Sequence, residues 1–406
     1  MSLVIQKFGG SSVADTHHIF NVAKKVIEVY KACNDVVVVV SAQGNTTDKL
    51  QLLIDDVTTD ASKRETDVLL SAGEQISSSL LAMAIQKLGY PAISLTGWQA
   101  GFLTDSNHTN AHIKSVDTER IKQELENKNI VIVAGFQGIN EDNDITTLGR
   151  GGSDTSAVAL AAALNADICK IYTDVDGVYS ADPRIVPSAK KISALSYENM
   201  FELAYFGAQV LNERSIRTAE QFGVEVEVLS SLTNNSSGTI ITDNIPKTYS
   251  ISGISLKNHL AKVSVSTASS GNQHSDAIIS ALRQNSIPFD DGLKTVGKKI
   301  DGIFNFTIDE SSINDFLKIV KEFDKKYENM QISYEKNKSK ISVINISESL
   351  NLNIASIIFE TLSEMNVDAE MVACNQKRVS VIVASEYANA ALNAIHSKLF
   401  EEDIII

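Results

Sequence analysis

The sequence is poor in the residues that build stapled or metal-tied proteins. Its three cysteines, Cys33, Cys169 and Cys374, lie far apart, with no CxxC and no Cys/His ligand spacing. That excludes a disulfide scaffold and a zinc ribbon, and predicts reduced, mostly buried thiols. Positive charge is also short. Lys and Arg number 36 against 50 Asp and Glu, a formal net charge of −14, which argues against a nucleic-acid or anionic-membrane partner. An anionic ligand must then be met by local cations against an unfavourable overall field. No uninterrupted apolar run approaches the ~20 residues of a membrane helix. Residues 1–7 open directly on a strand pattern, without a basic, apolar and small-residue leader, so a cytoplasmic location is expected. A GxxxxGK[ST] loop and the protein-kinase signatures are missing as well. Asp174-Val175-Asp176 starts like a calcium loop, but the third acidic position and the closing Glu are absent, and no resident metal site is expected.

What is present is organised around Gly149-Arg150-Gly151-Gly152-Ser153-Asp154, which runs into the apolar helix former 158–164. Glycines let backbone N–H groups approach a ligand, and the first N–H groups of a helix have no internal partner. Their aligned dipoles favour an anion, phosphate above all. A capped tight turn would use the same residue types; Arg150 and Asp154 tip the reading toward a site. Before this loop, residues 3–8, 36–40, 92–96 and 130–134 read as strands, and 16–30 shows helical spacing of apolar residues. Strand 168–173 follows the central helix. This alternation indicates an α/β fold with a largely parallel sheet flanked by helices. Ligands of such sheets bind beyond the carboxyl ends of the strands, where Lys7, Ser41, Phe136 and Asp174 would converge. Lys7 before Gly9-Gly10 fits either a solvated strand end or an ammonium aimed at phosphates. Glu74 fits either a solvated helix face or a site residue.

At 406 residues two or three domains are expected. After residue 238 the texture changes: strands shorten, Lys becomes frequent, and Pro246 marks a linker. From 251 onward a strand–helix–strand–strand–helix–strand order occurs twice, which suggests two ferredoxin-like βαββαβ modules at roughly 261–330 and 336–406.

Lys7-Phe8-Gly9-Gly10-Ser11-Ser12, Gly149-Arg150-Gly151-Gly152-Ser153-Asp154 and Thr173-Asp174-Val175-Asp176-Gly177-Val178-Tyr179 resemble the three signatures of the aspartate kinases, in that family's order and along essentially the whole chain. The resemblance implies an amino-acid-kinase catalytic domain over residues 1–245 and a tandem ACT regulatory and dimerisation domain over 246–406. It implies transfer of the ATP γ-phosphoryl group to the β-carboxylate of L-aspartate, with Mg²⁺ held largely through ATP. By similarity Lys7 and Asp154 are catalytic. Thr47, Glu74, Phe136, Arg150, Gly151, Gly152 and Ser153 bind the amino acid. Lys7, Gly9, Gly10, Ser11, Ser41, Thr173, Asp174, Tyr179 and Arg184 face the nucleotide. It further implies a homodimer or dimer of dimers through the ACT modules, with an amino-acid effector at their interface. The chain departs from the family at Gln209, where many members carry Lys, and at Gly271-Asn272-Gln273-His274, Lys294-Thr295 and Asn351-Leu352-Asn353-Ile354 in the ACT loops. These changes lead to the expectation that inhibition by lysine or threonine is weak, or that the effector is a different one.

Overall fold

The computed structural model describes residues 2–32, 34–208, 210–233, 237–245, 251–267, 273–285, 287–290, 303–326, 330–345, 351–375 and 377–400. Cys33, Gln209, Pro246, Gly271-Asn272 and Lys294-Thr295 lie outside the described residues. The chain forms two compact units. One comprises Met1–Val178, Lys191–Ala204 and Gln209–Ile245; the other Tyr179–Lys190, Tyr205–Ala208 and Pro246–Ile406.

The first unit is built on an eight-stranded sheet. Its strands are β1 (Leu3–Phe8), β2 (Asp35–Val40), β3 (Ala92–Leu95), β4 (Ile130–Ala134), β5 (Ile168–Thr173), β6 (Ala194–Leu195), β7 (Val226–Ser230) and β8 (Thr239–Ile241), in the spatial order β6-β8-β7-β5-β1-β2-β4-β3. All neighbours are parallel except β7 and β8. Central strands of such a sheet are covered on both faces, which is why Val36 to Val40 form an unbroken β-branched run and are all fully buried. Burying each such side chain contributes about 1.5–3 kcal/mol.

Helices α1 (Thr16–Lys31), α2 (Thr46–Val57), α3 (Lys63–Lys87), α4 (Glu119–Glu126), α5 (Gly152–Leu164), α6 (Tyr197–Tyr205) and α7 (Glu213–Phe222) complete the unit. Their ends follow local chemistry. Asp15 caps α1 by accepting from the His18 N–H at 2.9 Å, and Ser62 caps α3 by accepting from Glu65 N–H at 3.3 Å. One face of α1 (Ile19, Val22, Ala23, Val26, Ile27) joins Leu81, Ala84 and Ile85 of α3 against Val36, Val38 and Val40 of β2. α3 is long and apolar enough in composition to cross a membrane, yet just over half of its most apolar window is packed inside this unit. A second sheet of four short strands, Ile113–Val116, Phe102–Thr104, Gln137–Ile139 and Ile145–Thr147 in that order, leads the chain into the central glycine loop. Residues 137 and 138, which the sequence pattern places in a loop after 130–134, belong to one of these strands.

The second unit carries one six-stranded antiparallel sheet, β10-β11-β9-β12-β14-β13, formed by β9 (Ile251–Thr267), β10 (Phe289–Asp290), β11 (Ile303–Asp309), β12 (Met330–Asn345), β13 (Met371–Asn375) and β14 (Arg378–Ala384). α8 (Gln273–Gln284), α9 (Ile313–Lys326), α10 (Asn351–Glu364) and α11 (Ser385–Phe400) supply the four helices of two βαββαβ modules. The modules are not strung one after the other. β9 pairs with β12 along its length, residues 251–257 against 340–345 and 260–267 against 330–338, with a register shift between. His259 and Asn337 have φ of +59° and +58° beside that shift, as a bulge requires. Two cores result. Val263, Val265, Phe306, Ile308, Ile278 and Phe316 fill one; Val343, Val381, Ile358, Leu392 and Ile395 fill the other, together with Ala181 and Val186 from the Tyr179–Lys190 segment. Of the two described cysteines, Cys169 is buried, and burial pushes its thiol far up. Cys374 is exposed, against the expectation of mostly buried thiols, because it falls in the last two residues of β13, where the strand runs out of the core that buries Met371 to Ala373.

Candidate active site

The parallel registers bring the loops named in the sequence to one edge. Lys7 stands opposite Val39 of β2 and Ile171 of β5, and Val40 stands opposite Ala134 of β4. Backbone bonds then stitch the outgoing chains together: Gly9 N–H to Tyr172 O at 3.3 Å, Ser41 N–H to Phe8 O at 3.1 Å, and Gly135 N–H to Val40 O at 3.1 Å. Lys7, Ser41, Phe136 and Asp174 therefore leave adjacent strands at their carboxyl ends, the position where this sheet type binds ligands.

Across that edge, the Lys7 ammonium lies 2.6 Å from Asp154 Oδ1 on the first turn of α5, with the two side chains 11% and 13% exposed. A lysine this dry requires a partner. Gly9 borders the ammonium, since a Cβ there would lie 3.6 Å from Lys7 Nζ, in ordinary contact. Gly10 has a packing reason instead: a Cβ would stand 2.7 Å from Ala42 O. α5 starts at Gly151, in the left-handed region at φ +71°, with no side chain capping its first turn. Its dipole is thus open toward an anion.

Glu74 sits mid-way along α3 and is 3% exposed. Its Oε1 accepts from Ala42 N–H at 3.0 Å, and its Oε2 has no hydrogen-bond partner. Burial pushes the carboxyl up to about 8, and the bond from Ala42 offsets this only in part. A buried carboxylate oxygen without a donor is what an incoming ammonium would satisfy. Gly73 makes the approach possible, because a Cβ there would meet Ala42 Cβ at 2.8 Å. Thr47, in the first turn of α2, borders the same loop and is half-buried. Arg150 projects into solvent with no carboxylate partner among the described residues. Gly152 packs against Phe136, where a Cβ would be 2.9 Å from the ring, and Ser153 lies under Gly135 and is 7% exposed. Phe136 itself holds φ +70°, an uncommon conformation for an aromatic residue. Ser156 Oγ accepts its N–H at 3.0 Å and Leu148 N–H donates to its carbonyl at 2.8 Å.

On the remaining side, Ser11 is exposed and Thr173 Oγ1 donates to Asp174 Oδ1 at 2.9 Å. Asp176, the second acid of the apparent calcium loop, pairs with Lys191 at 2.5 Å. Tyr179 and Arg184 belong to the second unit and are described with it, not with this cluster. Arg184 there grips both oxygens of Asp182 at 2.7 to 3.2 Å.

Comparison with known proteins resolves the class. Residues 2–230 match the amino acid kinase family. An aspartokinase of Corynebacterium glutamicum is 42% identical over 405 residues, 98% of this chain and 96% of that one. One from Geobacillus stearothermophilus is 40% identical over 398 residues, with 98% and 97% covered. The chain belongs to the aspartokinases. Its architecture is similar to that of Escherichia coli aspartokinase III solved with aspartate and ADP in the R-state, at a TM-score of 0.83 and 22% identity over 98% of this chain and all of that one. As a member of this family it is an ATP-dependent kinase, an amino-acid-kinase unit followed by ACT modules.

Residues that no motif announced complete the site's frame. Asp67, fully buried on α3, accepts from Thr147 Oγ1 at 2.5 Å and Thr109 N–H at 3.0 Å, and meets His108 Nδ1 at 2.8 Å. It pins the strand that feeds Gly149. Arg214 Nη1 donates to Leu148 O at 3.1 Å and Nη2 to Asn110 Oδ1 at 2.5 Å, while Asn212 Nδ2 donates to Arg150 O at 2.9 Å. The one available signal was the Asn-x-Arg spacing at the start of α7, too common to read alone.

Proposed function

We propose that the enzyme transfers the ATP γ-phosphoryl group to the β-carboxylate of L-aspartate, giving 4-phospho-L-aspartate, the first step toward lysine, threonine and methionine, in the cytoplasm. The observation that carries this reading is the sheltered Lys7–Asp154 pair at 2.6 Å beside the uncapped start of α5. A substrate carboxylate, with a reference pKa of ~3.9, is already ionised at neutral pH and needs no general base. What the protein must supply is in-line placement and neutralisation of charge on the phosphoryl oxygens. Lys7 supplies the charge. Asp154 holds its ammonium in place, so that it need not reorganise as the transition state forms. Gly9 and the α5 N-terminus receive phosphate oxygens, with Gly10, Ser11, Ser41, Thr173 and Asp174 on the nucleotide side. Arg150 has the fork that fits the α-carboxylate of the acceptor, and Glu74 takes its ammonium. Thr47, Phe136, Gly151, Gly152 and Ser153 shape the rest of the acceptor site.

The donor set fits magnesium brought by ATP. Asp154 and Asp174 offer hard carboxylate oxygens, and no cluster of three His, Cys, Asp or Glu suited to a resident ion occurs among the described residues. When bound, the metal adds positive charge on the phosphates. The remaining work belongs to Lys7 and the loop N–H groups.

The ACT modules are read as the seat of a homodimer or dimer of dimers and of an amino-acid effector, with lysine and threonine inhibiting weakly or a different effector in their place. An ATP-dependent hydroxamate assay with aspartate, glutamate and N-acetylglutamate tests the central claim. Turnover confined to aspartate is expected; a preference for another acceptor, or none at all, overturns it.

A further inference from the structure

The loop that carries Arg150 is permissive by construction. Gly149 and Gly151 flank it at φ +75° and +71°, and a Gly-Arg-Gly segment left to itself samples many conformations. An exposed guanidinium on such a loop would order itself only when the ligand arrives, at the ligand's expense. Here the loop is held from outside, and both ties come from the first turn of α7. Arg214 Nη1 fixes Leu148 O at 3.1 Å and Asn212 Nδ2 fixes Arg150 O at 2.9 Å. Asn212 also packs onto Gly151 so closely that a Cβ there would lie 2.4 Å from its side chain. At Gly149 a Cβ would come within 2.8 Å of Asn110 Oδ1, the acceptor of Arg214 Nη2.

We propose that Asn212, assisted by Arg214, is a positioning residue for acceptor binding: it holds the Arg150 backbone in place so that the guanidinium is presented before the amino acid arrives. This rests on the reading of Arg150 as the acceptor's carboxylate ligand. Asn212 performs two tasks with two atoms. Its Oδ1 accepts from Arg214 N–H at 2.9 Å and caps α7, while its Nδ2 ties the loop. A carboxamide carries both an acceptor and a donor on one short fork. Asp and Ser are also good caps, but a carboxylate has no proton to donate and a hydroxyl is an atom too short to reach. The two tasks can therefore be separated by substitution.

Asn212→Asp and Asn212→Ser should keep the melting temperature of the full-length enzyme, because the cap survives. Both should raise the KM for aspartate about three- to tenfold, the worth of one neutral hydrogen bond, and leave the KM for ATP within twofold. Ser controls for the charge that Asp introduces. Trypsin should cleave after Arg150 several-fold faster in both variants, a readout independent of activity. Unchanged cleavage means that no tie exists and overturns the proposal. Faster cleavage with an unchanged KM for aspartate overturns the positioning role. Arg150→Lys, run alongside, tests the underlying assignment: if it leaves the KM for aspartate unaltered, the acceptor reading fails, whatever Asn212 does.

Discussion

Glu74→Gln isolates the effect of a buried carboxyl on acceptor binding. In the free enzyme burial pushes Glu74 up to about 8, so at pH 7 roughly one molecule in eleven carries the ionised form. An ammonium needs that form. Binding of aspartate at pH 7 should therefore release about 0.9 proton, and kcat/KM for aspartate should rise about eightfold from pH 7 to 8.5 as the ionised fraction grows. Stability moves the other way. The folded group titrates above its ordinary value of 4.5, so the native state holds the extra proton between pH 4.5 and 8. Stability is full below that window, falls as pH rises through it, and levels off above. At pH 7 the cost is about 3 kcal/mol. Glutamine keeps the bond from Ala42 N–H and has no charge to desolvate. The variant should be more stable than the parent by about 3 kcal/mol at pH 7 and about 4 kcal/mol at pH 8, bind aspartate at least tenfold more weakly, and show a flat pH profile. Calorimetric titration with aspartate in buffers of different ionisation enthalpy counts the protons, and steady-state kinetics gives the profile. Proton release near zero at pH 7, or the same rise with pH in Glu74→Gln, would refute the argument.

Lys7→Ala should leave the fold intact by circular dichroism and lower kcat by at least ~10²-fold, the scale for losing one transition-state charge stabiliser; turnover like the parent's removes Lys7 from the mechanism. Asp67→Ala strands the hydroxyl of Thr147 and the N–H of Thr109 in a dry setting and should cost about 2–4 kcal/mol in urea denaturation. In the second unit, Lys340 is 3% exposed and pairs with Asp290, with its ammonium also 5.5 Å from the Phe206 ring. Lys340→Met removes this ammonium from beside Asp290 and should cost about 3–5 kcal/mol, most of it recovered when Asp290→Asn is added; a double variant no more stable than the single one would contradict this.

The long elements were legible because their residues repeat one instruction. Val36 to Val40 admit little but a buried strand, and Ile19, Val22, Ala23, Val26 and Ile27 recur at helical spacing. The loops at the carboxyl ends were legible because glycine and charge cluster there. What escaped was structure without period or cluster. Strands of three residues, such as Phe102–Thr104 and Gln137–Ile139, are too short to show alternation. Asp67 is one acid in an otherwise ordinary helix start, and its importance comes from Thr147, eighty positions away. The shared sheet of the ACT modules escaped for a related reason. β9 and β12 each serve both modules, and a reading that assigns every strand to one module cannot express that.

The path of the chain has a consequence for cutting and recombining this protein. The backbone passes from one unit to the other at 178/179, 190/191, 204/205, 208/209 and 245/246. A kinase fragment ending at 245 would keep Tyr179–Lys190 and Tyr205–Ala208 but lose what covers them. Val186 and Phe206, 1% and 2% exposed in the whole chain, would face water, and Phe206 would lose the Arg378 guanidinium stacked 3.7 Å from its ring centre. Such a fragment carries a ready surface for aggregation. A gene fusion that swaps the C-terminal unit for another must match those two inserts as well as the junction at 245. An exchange of the C-terminal unit therefore has to carry residues 179–190 and 205–208 along.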